Sequence, residues 1–340
     1  MSDLRYDPIF GQWSCIAERR QKRPLEFQQI SQRRAGIDCP FCLGNESVTP
    51  PPIKIWPGKQ DQPWLIRVLP NKYPALDANL QNKGSGLTKS AMDEFGTDDR
   101  PSSSPGFQEV IVLSPRHVVS LSGLNDQELS ASFDAFQDRV AKHVQEQAVQ
   151  HVCLFMNCRQ LAGASIEHSH FQLIGSPVCT GQVRKRIERM LETVDDEIST
   201  WRRLLDWERD SQIRIVEQSA DFMVYCPFAS RHSHQIRIAP QFDTPFHQLP
   251  AAQREELAGL CRKWVDGLER CLDDPAYNLL FHLPPIDQAD APWFVDLVPR
   301  FPQSAGFELA TDCWVNTVSP ESAASQFRQF DQSLNSNPNF

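Results

Sequence analysis

Glu167-His168-Ser169-His170-Phe171-Gln172 is the stretch on which the reading of this chain turns. Side chains two apart on an extended strand point the same way, so His168, His170 and Gln172 share one face. Three polar groups on one strand face need a reason. An isolated HxHxQ is as readily a surface strand with satisfied histidines as a site. Its setting favours the site: Gly163-Ala164-Ser165 precedes it, small residues that let a phosphate approach the backbone, and an apolar strand end follows.

Outward from that strand, the pattern is one of strands and a long helix. Phe107 to Leu113 is a β-type run, and a helix starts at Asn125 with Leu129, Phe133, Phe136 and Val140 at helical spacing. Val152 to Asn157 and Phe171 to Ile174 are again strand-like. Residues 182 to 210 are charged and helical in character. Then the order repeats, with strands at Phe222 to Tyr225 and Gln235 to Ala239, a helix from Ala251 to Cys271, and strands at Tyr277 to His282 and Trp293 to Val298. That is an internal duplication. Ser114-Pro115-Arg116-His117 before the first helix is echoed by Ala239-Pro240-Gln241-Phe242 before the second. Aligning Gln172-Leu173-Ile174 with Asp296-Leu297-Val298 sets Pro292 opposite His168 and Phe294 opposite His170, so the second half has lost whatever chemistry the histidines perform.

The expected architecture is α+β, two tandem units of an antiparallel sheet with helices packed on it. Residues 1–178 carry the HxHxQ strand, 179–330 form the second copy, and an Asn- and Ser-rich tail at 331–340 reads as disordered. Arg5 to Pro24 begins with a hairpin turning at Asp7-Pro8-Ile9-Phe10-Gly11. Residues 77 to 106, poor in apolar periodicity, read as a long surface loop.

Length and composition agree with this plan. The 340 residues exceed the usual single-core size, and 40% hydrophobic with 23% charged residues is ordinary for a globular protein. A net charge of −9 argues against a nucleic-acid binder, whose phosphate contacts need a basic face. No window approaches the roughly 18 uncharged apolar residues of a membrane span, and no export signal opens the chain. A cytoplasmic location is expected, with the ten cysteines reduced or bound to metal.

Cys39-Pro40-Phe41-Cys42 has the spacing that lets two thiolates reach one tetrahedral zinc from a tight turn. The same spacing suits a thioredoxin-like redox pair, and a zinc ribbon would need a second CxxC, which the sequence lacks. With zinc, the remaining ligands must be histidines, and His117 and His168 are the natural candidates. Arg19, Arg20, Lys22 and Arg23 form a basic run, and Asn71-Lys72-Tyr73-Pro74 follows the strand Leu65 to Leu69. Solvated surface is the bland reading of such runs and is kept for Arg33 and Arg34. Phosphate clamping is the sharper one for Arg20 and Arg23. His143, His151, His232, His234, His247 and the other cysteines read as packing or surface residues; His282, on a strand, could face a ligand.

In order along residues 5 to 328, Arg5-Tyr6-Asp7-Pro8, Gly11-Gln12-Trp13, Arg20-Gln21-Lys22-Arg23-Pro24, the Cys39/Cys42 pair, Asn71-Lys72-Tyr73-Pro74, Ser114-Pro115-Arg116-His117 and His168-Ser169-His170-Phe171-Gln172 resemble the galactose-1-phosphate uridylyltransferase family. That resemblance implies two tandem units of the histidine-triad superfamily, a homodimer, and structural zinc (Zn2+) held by Cys39, Cys42, His117 and His168. It makes His170 the nucleophile and Gln172 a donor to the phosphoryl oxygens. Asn157 and Ser165 fall at matching spacing and join Arg20, Arg23 and Asn71 as candidate substrate contacts. The implied activity is ping-pong nucleotidyl transfer through a nucleotidyl-His170 adduct, nominally UDP-glucose to galactose 1-phosphate, within carbohydrate metabolism.

Ser169 and Phe171 depart from the family's common pattern around the histidines. The second metal site of some members needs histidines in the terminal strand of the second half, where Trp293-Phe294-Val295-Asp296 has none. The HSH core, Trp293-Phe294 and Gly306-Phe307-Glu308 are similar to the ADP-glucose phosphorylase branch, which passes AMP to inorganic phosphate. A zinc-stabilised nucleotide-binding protein with an idle His170 is the remaining alternative.

Overall fold

A computed structural model of the chain describes residues 3–16, 39–58, 62–76, 106–194, 198–301 and 305–336. Arg20, Arg23, the rest of that basic run, and residues 77–105 of the segment read as a long loop lie outside these. The first hairpin pairs β1 (Asp3–Asp7) with β2 (Gln12–Ile16). Its turn closes because Asp7 Oδ1 accepts from the backbone N–H groups of Ile9 and Phe10 at 2.8 and 2.9 Å. There follow β3 (Lys54–Trp56), β4 (Ile66–Pro70), β5 (Phe107–Val112), α1 (Asp126–Glu146), β6 (His151–Cys158) and β7 (His170–Ser176). The connection contains α2 (Gly181–Leu191), a short ladder of β8 (Thr193–Val194) with β9 (Ile198–Ser199), and α3 (Thr200–Ser211). The second half supplies β10 (Ile215–Gln218), β11 (Phe222–Tyr225), β12 (Ile236–Pro240), α4 (Ala251–Cys271), β13 (Tyr277–His282) and β14 (Phe294–Pro299). The chain continues through α5 (Gly306–Thr311), β15 (Trp314–Asn316) and α6 (Pro320–Ser336).

Ten strands form one antiparallel sheet in the order β10-β11-β12-β14-β13-β6-β7-β5-β4-β3. Read from either edge, the five strands of each half follow the same order, and the two fives meet where β6 pairs with β13. Across that seam Cys158 faces Tyr277, Asn157 faces Asn278 and Leu154 faces Phe281. The duplication seen in the sequence is therefore a duplication within a single sheet. β15 leaves that sheet and pairs parallel with β2, tying the chain's end to its beginning.

Period-two alternation decides what each face does. Ile111, Phe171, Leu173, Leu154, Met156, Leu279, Phe281, Val295 and Leu297 point to one side and are packed under α1 and α4. The helices answer with Leu129, Phe133, Phe136 and Val140 on α1 and Leu257, Trp264 and Leu268 on α4, one buried cluster that crosses the seam without a break. A capping box opens α1: Asn125 Oδ1 accepts from Glu128 N at 2.9 Å, and Glu128 Oε2 accepts from Asn125 N at 3.0 Å.

The other face is treated differently in the two halves. In the second, α2, α3 and the β1–β2 turn lie over it, with Ile9, Ile187, Met190, Trp201 and Leu205 packed on Tyr225 and Phe294. In the first, the same face carries His170, Gln172 and Asn157. The tail differs from its reading: α6 runs to Ser336, so residues 331–336 are helical. Asp331 is held there by Lys263 at 2.9 Å, a partner from α4 that composition does not reveal.

Candidate active site and metal cluster

Site geometry begins at the turn that ends β5. Ser114 Oγ donates to Glu128 Oε1 at 2.7 Å and Arg116 Nε donates to the same oxygen at 2.9 Å, so a buried carboxylate at the start of α1 holds the Ser-Pro-Arg-His turn. Burial opposes ionisation of Glu128, but these hydrogen bonds hold its carboxyl below the usual range. The held turn presents the Ser114 carbonyl to His168, whose Nε2–H donates to it at 2.9 Å. That bond fixes the tautomer and leaves the Nδ1 lone pair for a ligand.

His168 Nδ1 stands 3.4 Å from Cys39 Sγ and 3.7 Å from Cys42 Sγ, and His117 Nδ1 stands 3.4 Å from Cys42 Sγ. All four ligand atoms lie within 4.8 Å of one another. Metal–sulfur bonds of about 2.3 Å and metal–nitrogen bonds of about 2.0–2.1 Å put tetrahedral ligands roughly 3.4–3.8 Å apart, so the residues fit one tetrahedral ion. The knuckle is shaped by Asn45 Nδ2 donating to the Cys39 carbonyl at 2.8 Å. Burial and the neighbouring Cys39 push the Cys42 thiol up to about 11, and burial pushes His168 down to about 4. Two crowded thiols and two imidazoles supply donors without a cation of their own.

At the start of β7, His170 is 5% exposed and its Nδ1–H donates to the His168 carbonyl at 2.6 Å. Nε2 therefore carries the lone pair. Burial lowers the pKa of His170, which favours the neutral ring. The Phe41 ring, from between the two cysteines, lies 5.2 Å from it.

On the His170 face and at its β4 side, three amides share a pattern. Gln172 Oε1 accepts from Gln108 Nε2 at 2.6 Å, Asn157 Oδ1 accepts from Asn278 Nδ2 at 2.7 Å, and Asn71 Oδ1 accepts from Tyr73 N at 2.8 Å. In each the carbonyl oxygen is taken and the NH2 has no acceptor among the described residues. Gln172 follows His170 on one strand face, and Asn157 lies on the adjacent β6, one step beyond the Met156–Phe171 pair. Asn71, just past β4, is anchored by its own N–H to the Gln108 carbonyl at 2.8 Å. Ser165 is exposed in the turn before His168. Gly163 in the same turn has φ +96°, and a Cβ there would sit 3.4 Å from Asn157 Nδ2. A neutral imidazole on a sheet face that also carries fixed N–H donors suits a group rich in acceptor oxygens.

Several residues were missed in the sequence. Gln108 alternates with Val110 and Val112, and Asn278 sits on a recognised strand, so period two assigns each to a face of its own strand, but only the pairing of β5 with β7 and of β13 with β6 brings them to the His170 face. Glu128 is legible only as a helix cap. Arg67, on the same face, is buried against the Trp64 ring with its Nη1 3.3 Å from Thr49 Oγ1.

The counterpart region of the second half does not suit a metal ion. Asp296 is engaged by Arg237 Nε and Nη2 at 2.8 and 3.0 Å and by Gln235 Nε2 at 3.1 Å. His282 meets Arg186 Nη1 at 3.1 Å through Nδ1, which places it in this charge network rather than facing a ligand. Phe10 from the β1–β2 turn fills the centre, with Arg231, Arg237 and Arg186 at 4.3, 5.5 and 5.6 Å from its ring.

Comparison with known proteins places this geometry. The family model described as galactose-1-phosphate uridyl transferase, N-terminal domain, matches residues 1–180, and one described only as a domain of unknown function matches residues 126–334. An ADP-glucose phosphorylase of Arabidopsis thaliana is 30% identical over 336 residues, 96% of this chain and 92% of that protein. A galactose-1-phosphate uridylyltransferase of Thermotoga maritima is 23% identical, covering 97% and 98%. The crystal structure of the Arabidopsis thaliana ADP-glucose phosphorylase with bound ADP-glucose superposes with a TM-score of 0.76 at 26% identity, over 97% of this chain and 99% of that one. With a model spanning half the chain and a relative spanning nearly all of it, this protein belongs to the galactose-1-phosphate uridylyltransferase family.

Proposed function

We propose that the chain is a nucleotidyltransferase acting on nucleotide sugars through a covalent adduct on His170. The observation that carries this is the His170 ring itself: neutral, oriented by the His168 carbonyl, and on a sheet face with amides whose oxygens are already occupied. The Nε2 lone pair attacks the α-phosphorus of the sugar nucleotide. The bond from that phosphorus to the bridging oxygen breaks, and the sugar 1-phosphate departs with the electron pair. An oxygen of a second phosphate then attacks the same phosphorus, the P–N bond breaks, and the imidazole is restored. Gln172 and Asn157 donate to the non-bridging oxygens as charge builds, and Asn71 and Ser165 add substrate contacts.

Among sugar nucleotides, the higher identity of the ADP-glucose phosphorylase relative, 30% against 23% for the uridylyltransferase, favours adenylyl transfer from ADP-glucose to inorganic phosphate. Uridylyl transfer between UDP-glucose and galactose 1-phosphate is the second reading, supported by the ordered motifs and the family model. Zinc is the proposed ion for Cys39, Cys42, His117 and His168, where it clamps the turn and the 39–48 loop to β7 and so positions His170. Arg20 and Arg23 remain proposed phosphate contacts, and a homodimer the proposed assembly.

The test is to give the purified protein ADP-glucose or UDP-glucose labelled at the α-phosphate. An acid-labile adduct, absent from His170→Asn, is expected with ADP-glucose, together with glucose 1-phosphate release. Labelling from UDP-glucose alone reverses the choice of base. No labelling from either removes the covalent mechanism.

A further inference from the structure

We infer that Gln108 and Asn278 are positioning residues which set the polarity of the two amides beside His170, turning Gln172 and Asn157 into obligate donors. The inference rests on the nucleotidyl-transfer reading above. An amide side chain is close to symmetric in shape, and left alone it offers a phosphate its oxygen as readily as its NH2. One orientation stabilises a phosphoryl oxygen and the other repels it. Something must choose.

Each choice is traceable to a backbone group, whose role as donor or acceptor is unalterable. Ala75 N donates to Gln108 Oε1 at 2.8 Å, so Nε2 is the Gln108 atom that meets Gln172 at 2.6 Å. Gln172 must answer with its oxygen, and its NH2 is left for the site. The second chain is independent. Asn278 Nδ2 donates to the Ala162 carbonyl at 2.9 Å and also to Asn157 Oδ1 at 2.7 Å. Asn157 is thereby held with its NH2 outward. Asn278 is 9% exposed and belongs to β13, so the half without nucleophilic histidines sets a donor in the half that has them. Gln108 also accepts from Asn71 N through its carbonyl, which links the Asn71 loop to the same wiring.

The replacement Gln108→Glu keeps the acceptor for Ala75 N but removes the donor. Gln172 then turns its NH2 to the carboxylate and its oxygen to the substrate. Gln108→Ala and Asn278→Ala leave the amides unheld and avoid a new charge. The experiment measures adduct formation on His170 at saturating labelled sugar nucleotide, with the two diastereomers of the α-phosphorothioate analogue as a stereochemical readout. Loss of one fixed donor costs on the order of 100-fold in the chemical step. A loss approaching that size is expected for each variant, with collapse of diastereomer discrimination and unchanged metal content. Combined with Gln172→Ala, Gln108→Glu should add nothing further, since it acts through Gln172.

Unchanged rate and unchanged diastereomer preference in folded variants overturn the inference, as does a fully additive double variant. Should wild-type protein form no adduct, the transfer reading falls and binding of inorganic phosphate becomes the measure. Weakened phosphate affinity in Gln108→Glu and Asn278→Ala still supports donor-setting; equal affinity ends it.

Discussion

Much of the residue-scale chemistry comes from oxygen atoms that are already spoken for. The Ser114 carbonyl selects the tautomer of His168, the His168 carbonyl selects that of His170, and neither selection costs a side chain. His168, His170, Cys39 and Cys42 stood out in the sequence because strand alternation and CxxC spacing are short-range rules, whereas His117, 75 positions from Cys42, was a candidate only because a lone CxxC leaves histidines to complete a zinc site. Gln108 and Asn278 were not singled out, because their partners lie 64 and 121 positions away and only the register of β5, β7, β6 and β13 joins them. Gly163→Ala forces an L residue to φ +96° and sets its methyl group in contact with Asn157 Nδ2. It should cost roughly 1–2 kcal/mol by urea denaturation and slow adduct formation. Cys39→Ser should abolish stoichiometric zinc in metal analysis of the purified protein, and intact zinc in that variant would remove Cys39 from the ligand set.

At the scale of elements, α1 does two jobs, and one of them is hidden from sequence. Its apolar face was readable from Leu129, Phe133, Phe136 and Val140. Its polar tie to β5 was not: Glu109, 4% exposed, receives Arg139 through Nε at 2.8 Å and Nη2 at 2.6 Å, with His143 Nε2 at 3.2 Å. Burial works against the Glu109 carboxylate, and His143 and Arg139 together hold its pKa below normal. Arg139→Leu strands that charge in the core and should cost about 3–5 kcal/mol. Lys54→Ala, which breaks an exposed pair with Asp138, should cost under about 1 kcal/mol. Urea midpoints of the two variants check the contrast. Comparable losses would mean that water reaches Glu109.

For the whole molecule, the sheet joins what the sequence suggests as two copies. Because the buried cluster crosses the β6–β13 seam, fluorescence and far-UV circular dichroism should report one coincident unfolding transition. Residues 1–178 expressed alone should lack it, since β6 becomes an unpaired apolar edge. The duplication was visible in the sequence, but the seam was not, because no local rule says which strands of two copies will pair. Acid should act on the molecule through buried imidazoles. Burial, first of all, pushes His151 and His282 down to about 4 and His232 to about 3. The unfolded chain then binds more protons below the ordinary histidine range. Stability is full above about pH 6.5 and falls as pH drops toward 4, by up to about 1.4 kcal/mol per pH unit for each such group. His151→Gln keeps a donor for the Leu283 carbonyl and should flatten that decline in a pH series of urea midpoints.

Phe10 and the two helices laid over the second half have a kinetic corollary. With that face filled by side chains, the described residues leave one seat per polypeptide for the phosphoryl group of the proposed transfer. Donor and acceptor must then use it in turn, so either one in large excess should slow the other. A rapid-mixing burst should release one sugar 1-phosphate per chain, which makes its amplitude a count of competent molecules in the tube.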